Sequence, residues 1–453
     1  MKGVGAFIAA SAALCANTVL ATPTKVEKRA SGTRGNLPTV TVKGNAFFAG
    51  DDRFYIRGVD YQPGGAANAA DPLADRDVCE RDVEKFKELG INTVRIYTID
   101  NSKDHDYCMG LLDEAGIYLA LDVNTPDYSI NRADPHPSYN DVYLQSVFAT
   151  IDAFSKYNNL LLFFSANEVV DSDNTTHCAP YVKAVTRDMK AYIKARGYRN
   201  IPVGYSAADV DANRYEMAQY MNCGSDDVRS DFFAFNDYSW CDPSTFQQSG
   251  WDQKVRTYSN YSIPLFLSEY GCITNTRQWK EIKTLYSDSM TGVYSGGLVY
   301  EYTEEEAGYG LVEVQSDTKV RELEDFSTLK AAFKATPEPR GDGGYRENGR
   351  ASQCPPQSDT WDVSGSELPE IPTPAKAFFQ KGAGRGPGLS GDSSQYAGTP
   401  SDSEISSGTS GGESESATST GAAASLHIPE MSFAPLVCGF VVLFSSLFGA
   451  SLL

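Results

Sequence analysis

The chain has 453 residues, a formal net charge of −20 and 41% apolar residues, enough for one large domain or several small ones. The acidic excess excludes nucleic acid as a partner, because phosphate binding needs a basic face; it fits a secreted surface in an acidic setting, or simply solubility. The four histidines, His105, His136, His177 and His427, have no metal-ligand spacing, and nothing in the sequence calls for a metal or an organic cofactor.

Residues 1–21 carry Lys2, an apolar and small-residue run and then Val19-Leu20-Ala21, the pattern of a secretory signal peptide cleaved after Ala21. Residues 22–35 read as a processed or flexible leader containing the dibasic Lys28-Arg29. A first strand is expected over 54–61, followed by a loop with Gly64-Gly65. A helix over 77–89 follows, with Val78, Val83, Phe86 and Leu89 near helical spacing and Gly90 as its stop. Strands are expected over 91–99 and 117–123, with a helix over 104–115 between them, and a helix near 139–157 after a proline-containing loop.

The run Leu160 to Val170 climbs from apolar residues to a polar end at Asn167-Glu168 and reads as a buried strand of a parallel sheet. Helices over 179–196 and near 213–221 alternate with strands over 201–206 and 232–240. The run Ile263 to Gly271 is again a short apolar strand ending in a carboxylate, Glu269, and Gly297 to Thr303 is an eighth strand. Strand and helix alternating about eight times predict an α/β protein built as a (β/α)8 barrel of the TIM type over residues 36–340. A doubly wound open sheet is the alternative, weakened because no Gly-rich phosphate fingerprint follows the first strand.

Beyond residue 340 Gly, Pro, Ser and Glu dominate. Residues 341–381 read as an extension packed on the barrel through Cys354, residues 382–425 as a disordered Ser/Gly-rich stalk, and residues 426–453 as a propeptide for GPI attachment. The last reading rests on small residues at 420–425, a short spacer and an uncharged apolar tail; a true membrane span is the alternative. Cys15 and Cys438 lie in the two end segments, which leaves Cys79, Cys108, Cys178, Cys223, Cys241, Cys272 and Cys354. In an oxidising compartment most should pair, and the odd number leaves at least one free or joined to another chain. Sequons at Asn174 and Asn260 agree with a secreted surface.

Two glutamates at the tips of barrel strands can face each other across a cleft, the arrangement that cleavage of a glycosidic bond requires. A retaining mechanism sets the two carboxyls about 5–5.5 Å apart. By strand position, Glu168 is the candidate acid/base and Glu269 the candidate nucleophile. The acid needs a raised pKa, which a neighbouring carboxylate favours. Asn167 is well placed for the sugar 2-hydroxyl.

Ser165-Ala166-Asn167-Glu168, Leu267-Ser268-Glu269-Tyr270-Gly271 and the stretch Gly296 to Tyr302 resemble the fungal β-1,3-glucanosyltransferases of glycoside hydrolase family 72. Phe54 to Gly65 and Asn92 to Tyr97 match the same family, and the likeness covers roughly residues 36–385. The resemblance implies an enzyme that cleaves an internal β-1,3-glucan linkage, keeps the new reducing end on the nucleophile and passes it to the non-reducing end of another glucan; a hydrolytic β-1,3-glucanase and a catalytically silent glucan-binding wall protein are the alternatives. It assigns Glu168 and Glu269 the same two roles. It places Tyr97, Asp127, Asn167, Tyr238, Tyr302 and, more weakly, Gln62 along the sugar subsites. It further implies the disulfides Cys79–Cys108, Cys223–Cys354 and Cys241–Cys272, with Cys178 left over. The single cysteine after the barrel, Cys354, places the chain with the branch that lacks a cysteine-rich carbohydrate-binding module. The expected partners are glucan donor and acceptor chains and the lipid of a GPI anchor in the outer leaflet, around a monomeric protein.

Overall fold

The computed structural model describes Met1 and residues 37–405. The signal, leader and lipid-attachment segments expected from the sequence lie outside the described residues. Eight parallel strands form a closed barrel: β1 (Ile56–Tyr61), β2 (Thr93–Ile96), β3 (Tyr118–Asp122), β4 (Leu160–Asn167), β5 (Val203–Ala208), β6 (Phe232–Asp237), β7 (Leu265–Tyr270) and β8 (Tyr294–Val299). They pair in sequence order, and β8 closes on β1 through Gly296 to Val299 beside Ile56 to Val59. A helix follows each strand: α1 (Arg76–Leu89), α2 (Asp106–Glu114), α3 (Asp141–Phe154), α4 (Ala179–Ala195), α5 (Arg214–Met221), α6 (Trp251–Thr257), α7 (Lys280–Leu285) and α8 (Glu324–Ala335).

Local chemistry explains the helix limits. The Asp75 side chain accepts from the backbone N–H groups of Asp77 and Val78 at the start of α1. Gly90 ends it at φ 73°, a left-handed position that glycine adopts without a Cβ clash. Between those caps Cys79, Val83, Phe86 and Leu89 are buried, as the helical spacing predicts.

Inside the barrel every second strand residue points inward. At the N-terminal end these are apolar: Ile56, Tyr118, Ala120, Leu162, Phe164, Phe232, Ala234, Phe266 and Leu298 share one cluster. A three-stranded antiparallel sheet (Val40–Lys43, Ala46–Ala49, Asp52–Phe54), not foreseen from the sequence, contributes to that cluster. Its Phe47 ring lies 6.2 Å from Phe232 and 5.9 Å from Phe266, and Phe54 packs edge-on against Tyr118 at 5.0 Å. Two residues further along the same strands the interior turns polar, with Asp60, Arg95, Asp122, Ser206, Asn236 and Ser268 all buried.

Three disulfides join Cys79–Cys108, Cys223–Cys354 and Cys241–Cys272, and Cys178 is free and buried. Cys223–Cys354 closes the longest loop, a separation of 131 residues, worth on the order of 5 kcal/mol in the chain-entropy account. The stalk expected from Gly382 does not begin there. Residues 382–405 run as an irregular strap along the helical layer and are hydrogen-bonded to it. The Ala383 N–H donates to Tyr192 Oη at 2.9 Å, the Gly388 N–H to Asn101 Oδ1 at 2.9 Å, and the Asp141 N–H to the Thr399 carbonyl at 3.2 Å. Low apolar content hid this segment, because backbone hydrogen bonds rather than side-chain burial fix it. Among the described residues no helix is long and apolar enough to cross a membrane.

Candidate active site

Glu168 and Glu269 stand at the C-terminal ends of β4 and β7, the face where α/β barrels carry their chemistry. Glu168 is held in an unusual backbone conformation, φ +47°, which costs a non-glycine residue about 1–3 kcal/mol. Two bonds hold it there. Its N–H donates to the Ser206 carbonyl at 2.9 Å, and its own carbonyl accepts from Arg132 Nη2 at 2.6 Å. Its side-chain Oε1 accepts from Asn236 Nδ2 at 2.8 Å. This turn lifts the half-buried carboxylate over the polar end of the barrel interior.

Glu269 is 8% exposed and bonded at both oxygens. Tyr97 Oη donates to Oε1 at 2.7 Å and Tyr238 Oη to Oε2 at 2.6 Å. Arg95 Nη1 stands 3.5 Å from Oε1. Burial, and then the Glu168 charge, push the Glu269 carboxyl up to about 7, against the pull of Arg95, Tyr238 and Tyr97 in the other direction. The rise at Glu269 follows chiefly from its deep burial.

Beneath the pair lies a charge network that the sequence reading missed. Arg95 is fully buried and makes a two-point contact with Asp122, Nε to Oδ2 at 2.8 Å and Nη2 to Oδ1 at 3.2 Å. Its Nη2 also donates to Asn167 Oδ1 at 3.0 Å, and Ser206 Oγ donates to the same oxygen at 2.7 Å. Donors converging on Oδ1 identify it as the amide oxygen, so Asn167 Nδ2 keeps its donor capacity with no acceptor among the described residues. Ser268 Oγ and Ser206 Oγ extend the network to Asn236 Oδ1 at 2.9 and 3.3 Å. Asp60 sits 3.9 Å from Arg95, and neither of its oxygens has a hydrogen-bond partner among the described residues. Burial, offset only partly by Arg95, pushes the Asp60 carboxyl well above the ordinary range. Arg95 thus faces three carboxyls, Asp60, Asp122 and Glu269. The signal for this network was present as a lone arginine inside the apolar strand Thr93–Ile96 and an aspartate ending Tyr118–Asp122.

Of the residues placed along the subsites by resemblance, Tyr97, Asn167 and Tyr238 meet at the carboxylate pair through the bonds above. Tyr302 does not. It is fully buried behind the barrel wall, its Oη donates to Asp82 Oδ1 at 2.9 Å, and its ring packs on Tyr61 and Phe86. The cause is a strand limit: β8 runs Tyr294–Val299, not 297–303, so the residue at the rim is Tyr300. Tyr300 lies 6.5 Å from Tyr97, 6.3 Å from Tyr238 and 5.2 Å from Tyr309, ring centre to ring centre, and lines the cleft with them. Asp127 stands exposed on the loop between β3 and α3, its carbonyl accepting from Ser394. Gln62 is half-buried on the loop after β1, where its carbonyl accepts from the Gly65 N–H at 2.9 Å. No described contact ties either side chain to the pair. Asn174 and Asn260 are both exposed. Among the described residues no group of acidic, histidine or cysteine side chains is arranged to hold a metal.

The sequence model of the family described as Glucanosyltransferase (Glyco_hydro_72) matches residues 29–337. The 1,3-beta-glucanosyltransferase gel1 of Aspergillus fumigatus is 59% identical over 98% of each chain. The 1,3-beta-glucanosyltransferase GAS5 of Saccharomyces cerevisiae is 55% identical over 78% of this chain and 74% of its own. Among solved structures, a mutant of Saccharomyces cerevisiae Gas2p in complex with laminaritetraose and laminaripentaose superposes with a TM-score of 0.69 at 38% identity, over 75% of this chain and 76% of that one. With the barrel and its paired glutamates, these likenesses show that the chain belongs to glycoside hydrolase family 72, the glucanosyltransferases.

Proposed function

We propose that this protein is a retaining β-1,3-glucanosyltransferase that elongates and remodels glucan of a fungal cell wall. One observation carries the reading: Glu269 is buried, gripped by Tyr97, Tyr238 and Arg95, and shares its cleft with Glu168. In the first step a Glu269 oxygen attacks the anomeric carbon. The bond from that carbon to the glycosidic oxygen breaks, and Glu168 gives its proton to the departing chain. The new reducing end is then an ester of Glu269. In the second step the 3-hydroxyl of an acceptor chain attacks the same carbon, Glu168 takes its proton, and Glu269 leaves as a carboxylate.

Arg95 and the two tyrosine hydroxyls stabilise that carboxylate as leaving group and hold it in one orientation. Asn167, whose amide oxygen is held by Arg95 and Ser206, offers its Nδ2 as a donor to the sugar 2-hydroxyl. Tyr300 and Tyr309, with Tyr97 and Tyr238, present rings that suit the apolar faces of pyranose units. Asp127 and Gln62 are proposed as outer contacts on the same rim. The signal peptide, the N-glycans at Asn174 and Asn260, the GPI anchor and the monomeric state belong to this proposal; the exposure of both asparagines supports the glycans.

The test is product analysis by chromatography and mass spectrometry from one reduced β-1,3-oligosaccharide. Products longer than the substrate, lost in Glu168→Gln and Glu269→Gln, are expected. Shorter products alone make the protein a hydrolase, and an unchanged Glu269→Gln variant removes the role given to that residue.

A further inference from the structure

The strap 382–405 reaches the active-site face. There the Ser394 N–H donates to the Asp127 carbonyl at 2.8 Å, and Gln395 Nε2 to the Ser129 carbonyl at 2.8 Å. The buried Asn140 Nδ2 donates to the Ser394 carbonyl at 2.7 Å. The loop between β3 and α3 that receives these bonds also carries Arg132, which holds the carbonyl of Glu168. A continuous chain of contacts therefore runs from the proposed acid/base to the strap.

The next residue, Tyr396, is 73% exposed, more than any other aromatic side chain among the described residues. Tyr107 and Tyr215, the other two exposed tyrosines, are each engaged, one beneath the Arg76 guanidinium and one against Tyr258. Tyr396 has no ring partner and no side-chain hydrogen bond among the described residues. Its backbone is nonetheless fixed on both sides, by Ser394 and Gln395 before it and by the Thr399 N–H bonded to Asp141 Oδ1 after it. An exposed aromatic ring normally costs nothing and means nothing when it stands alone. This one is anchored on the loop that also carries Arg132, on the face where the barrel strands end, and a polymer extends past the residues that cut it.

We propose that Tyr396 is an outer platform on which a glucose unit of a long β-1,3-glucan chain stacks, several units from the cleavage point. The inference rests on the glucan reading given above. The test is a series of kcat/KM values on reduced β-1,3-oligosaccharides of increasing length for wild type, Tyr396→Ala and Tyr396→Phe. Expected is no change on the shortest substrates, a loss of roughly threefold to tenfold for Tyr396→Ala once the chain is long enough to reach, and recovery in Tyr396→Phe, which keeps the ring. Equal values for Tyr396→Ala and wild type at every length overturn the platform. So does an equal loss at every length, which marks a purely structural effect through the loop. Wild-type protein that only shortens its substrates defeats the transferase reading, while the length series still decides the platform.

Discussion

In the lower half of the barrel interior Phe232, Phe266 and Leu298 pack against Phe47 of the N-terminal sheet, and in the upper half Asn236, Ser268 and Arg95 form a hydrogen-bonded network under Glu168 and Glu269. The two halves share the same strands and differ by one inward-pointing position. Arg95 marks the border, its guanidinium lying 4.4 Å over the Phe164 ring. Below it the interior stabilises the fold by burying apolar surface. Above it, charges are buried at a cost, and their return is a preorganised site. Loss of activity and loss of stability should therefore separate along the barrel axis.

The largest effect should come from Glu269→Gln. Transfer should fall roughly 10⁴-fold or more, as for other covalent nucleophiles, with no loss in melting temperature. A variant equally inactive but unfolded would blur the two halves into one. Phe266→Ala should do the reverse, costing about 3–5 kcal/mol in denaturant unfolding while leaving kcat per folded molecule nearly intact. Arg95→Met sits on the border and should damage both. It strands the buried Asp122, costing about 3–5 kcal/mol, and it removes the donor that orients Asn167 and the cation that lowers the Glu269 pKa. Loss of stability with full activity would place Arg95 with the lower half.

The upper half should also carry a pH signature. The Glu269 carboxyl is raised from 4.5 to about 7 in the folded state, so its contribution to stability is full below about pH 4.5 and lost as pH rises through 7. That contribution is on the order of 3 kcal/mol, and Glu301, pushed up to about 8 chiefly by burial, acts in the same direction. Stability measured from pH 4 to 8 should therefore decline, and less steeply in Glu269→Gln; parallel curves would show that the pair is not the source. The smallest effect is expected from Tyr302→Phe. It removes one hydroxyl bonded to Asp82 behind the wall, so stability should fall by about 1 kcal/mol and KM should not move. A raised KM would return Tyr302 to the cleft.

Much of this architecture was legible in the chain. The alternation of apolar strands with capped helices announced the barrel, and Glu168 and Glu269 each announced a strand tip because a carboxylate ended an apolar run. The errors came where a small shift in a limit has a large consequence. Because β8 ends at Val299 rather than near Thr303, the residue just past the strand tip, at the rim, is Tyr300 and not Tyr302. The strap departs from expectation for a different reason: a Ser/Gly-rich composition reports how little apolar surface a segment buries, and this segment is held by hydrogen bonds of its backbone and of side chains such as Gln395.

The order of the eight barrel strands and the two glutamates at their tips follow from the sequence alone, because each depends on a local pattern of a few neighbouring residues. Tertiary structure alone sets Arg95 against Asp122 and Glu269, buries Asp60 beside them, and seats Ser394 and Gln395 on the loop that carries Arg132. Those partners lie between 27 and 267 residues apart in the chain where a bond joins them, and closing the barrel is what brings them together. Electrostatics and hydrogen bonding act through space at a few ångströms, so their outcome is written in the fold rather than in any one stretch of sequence.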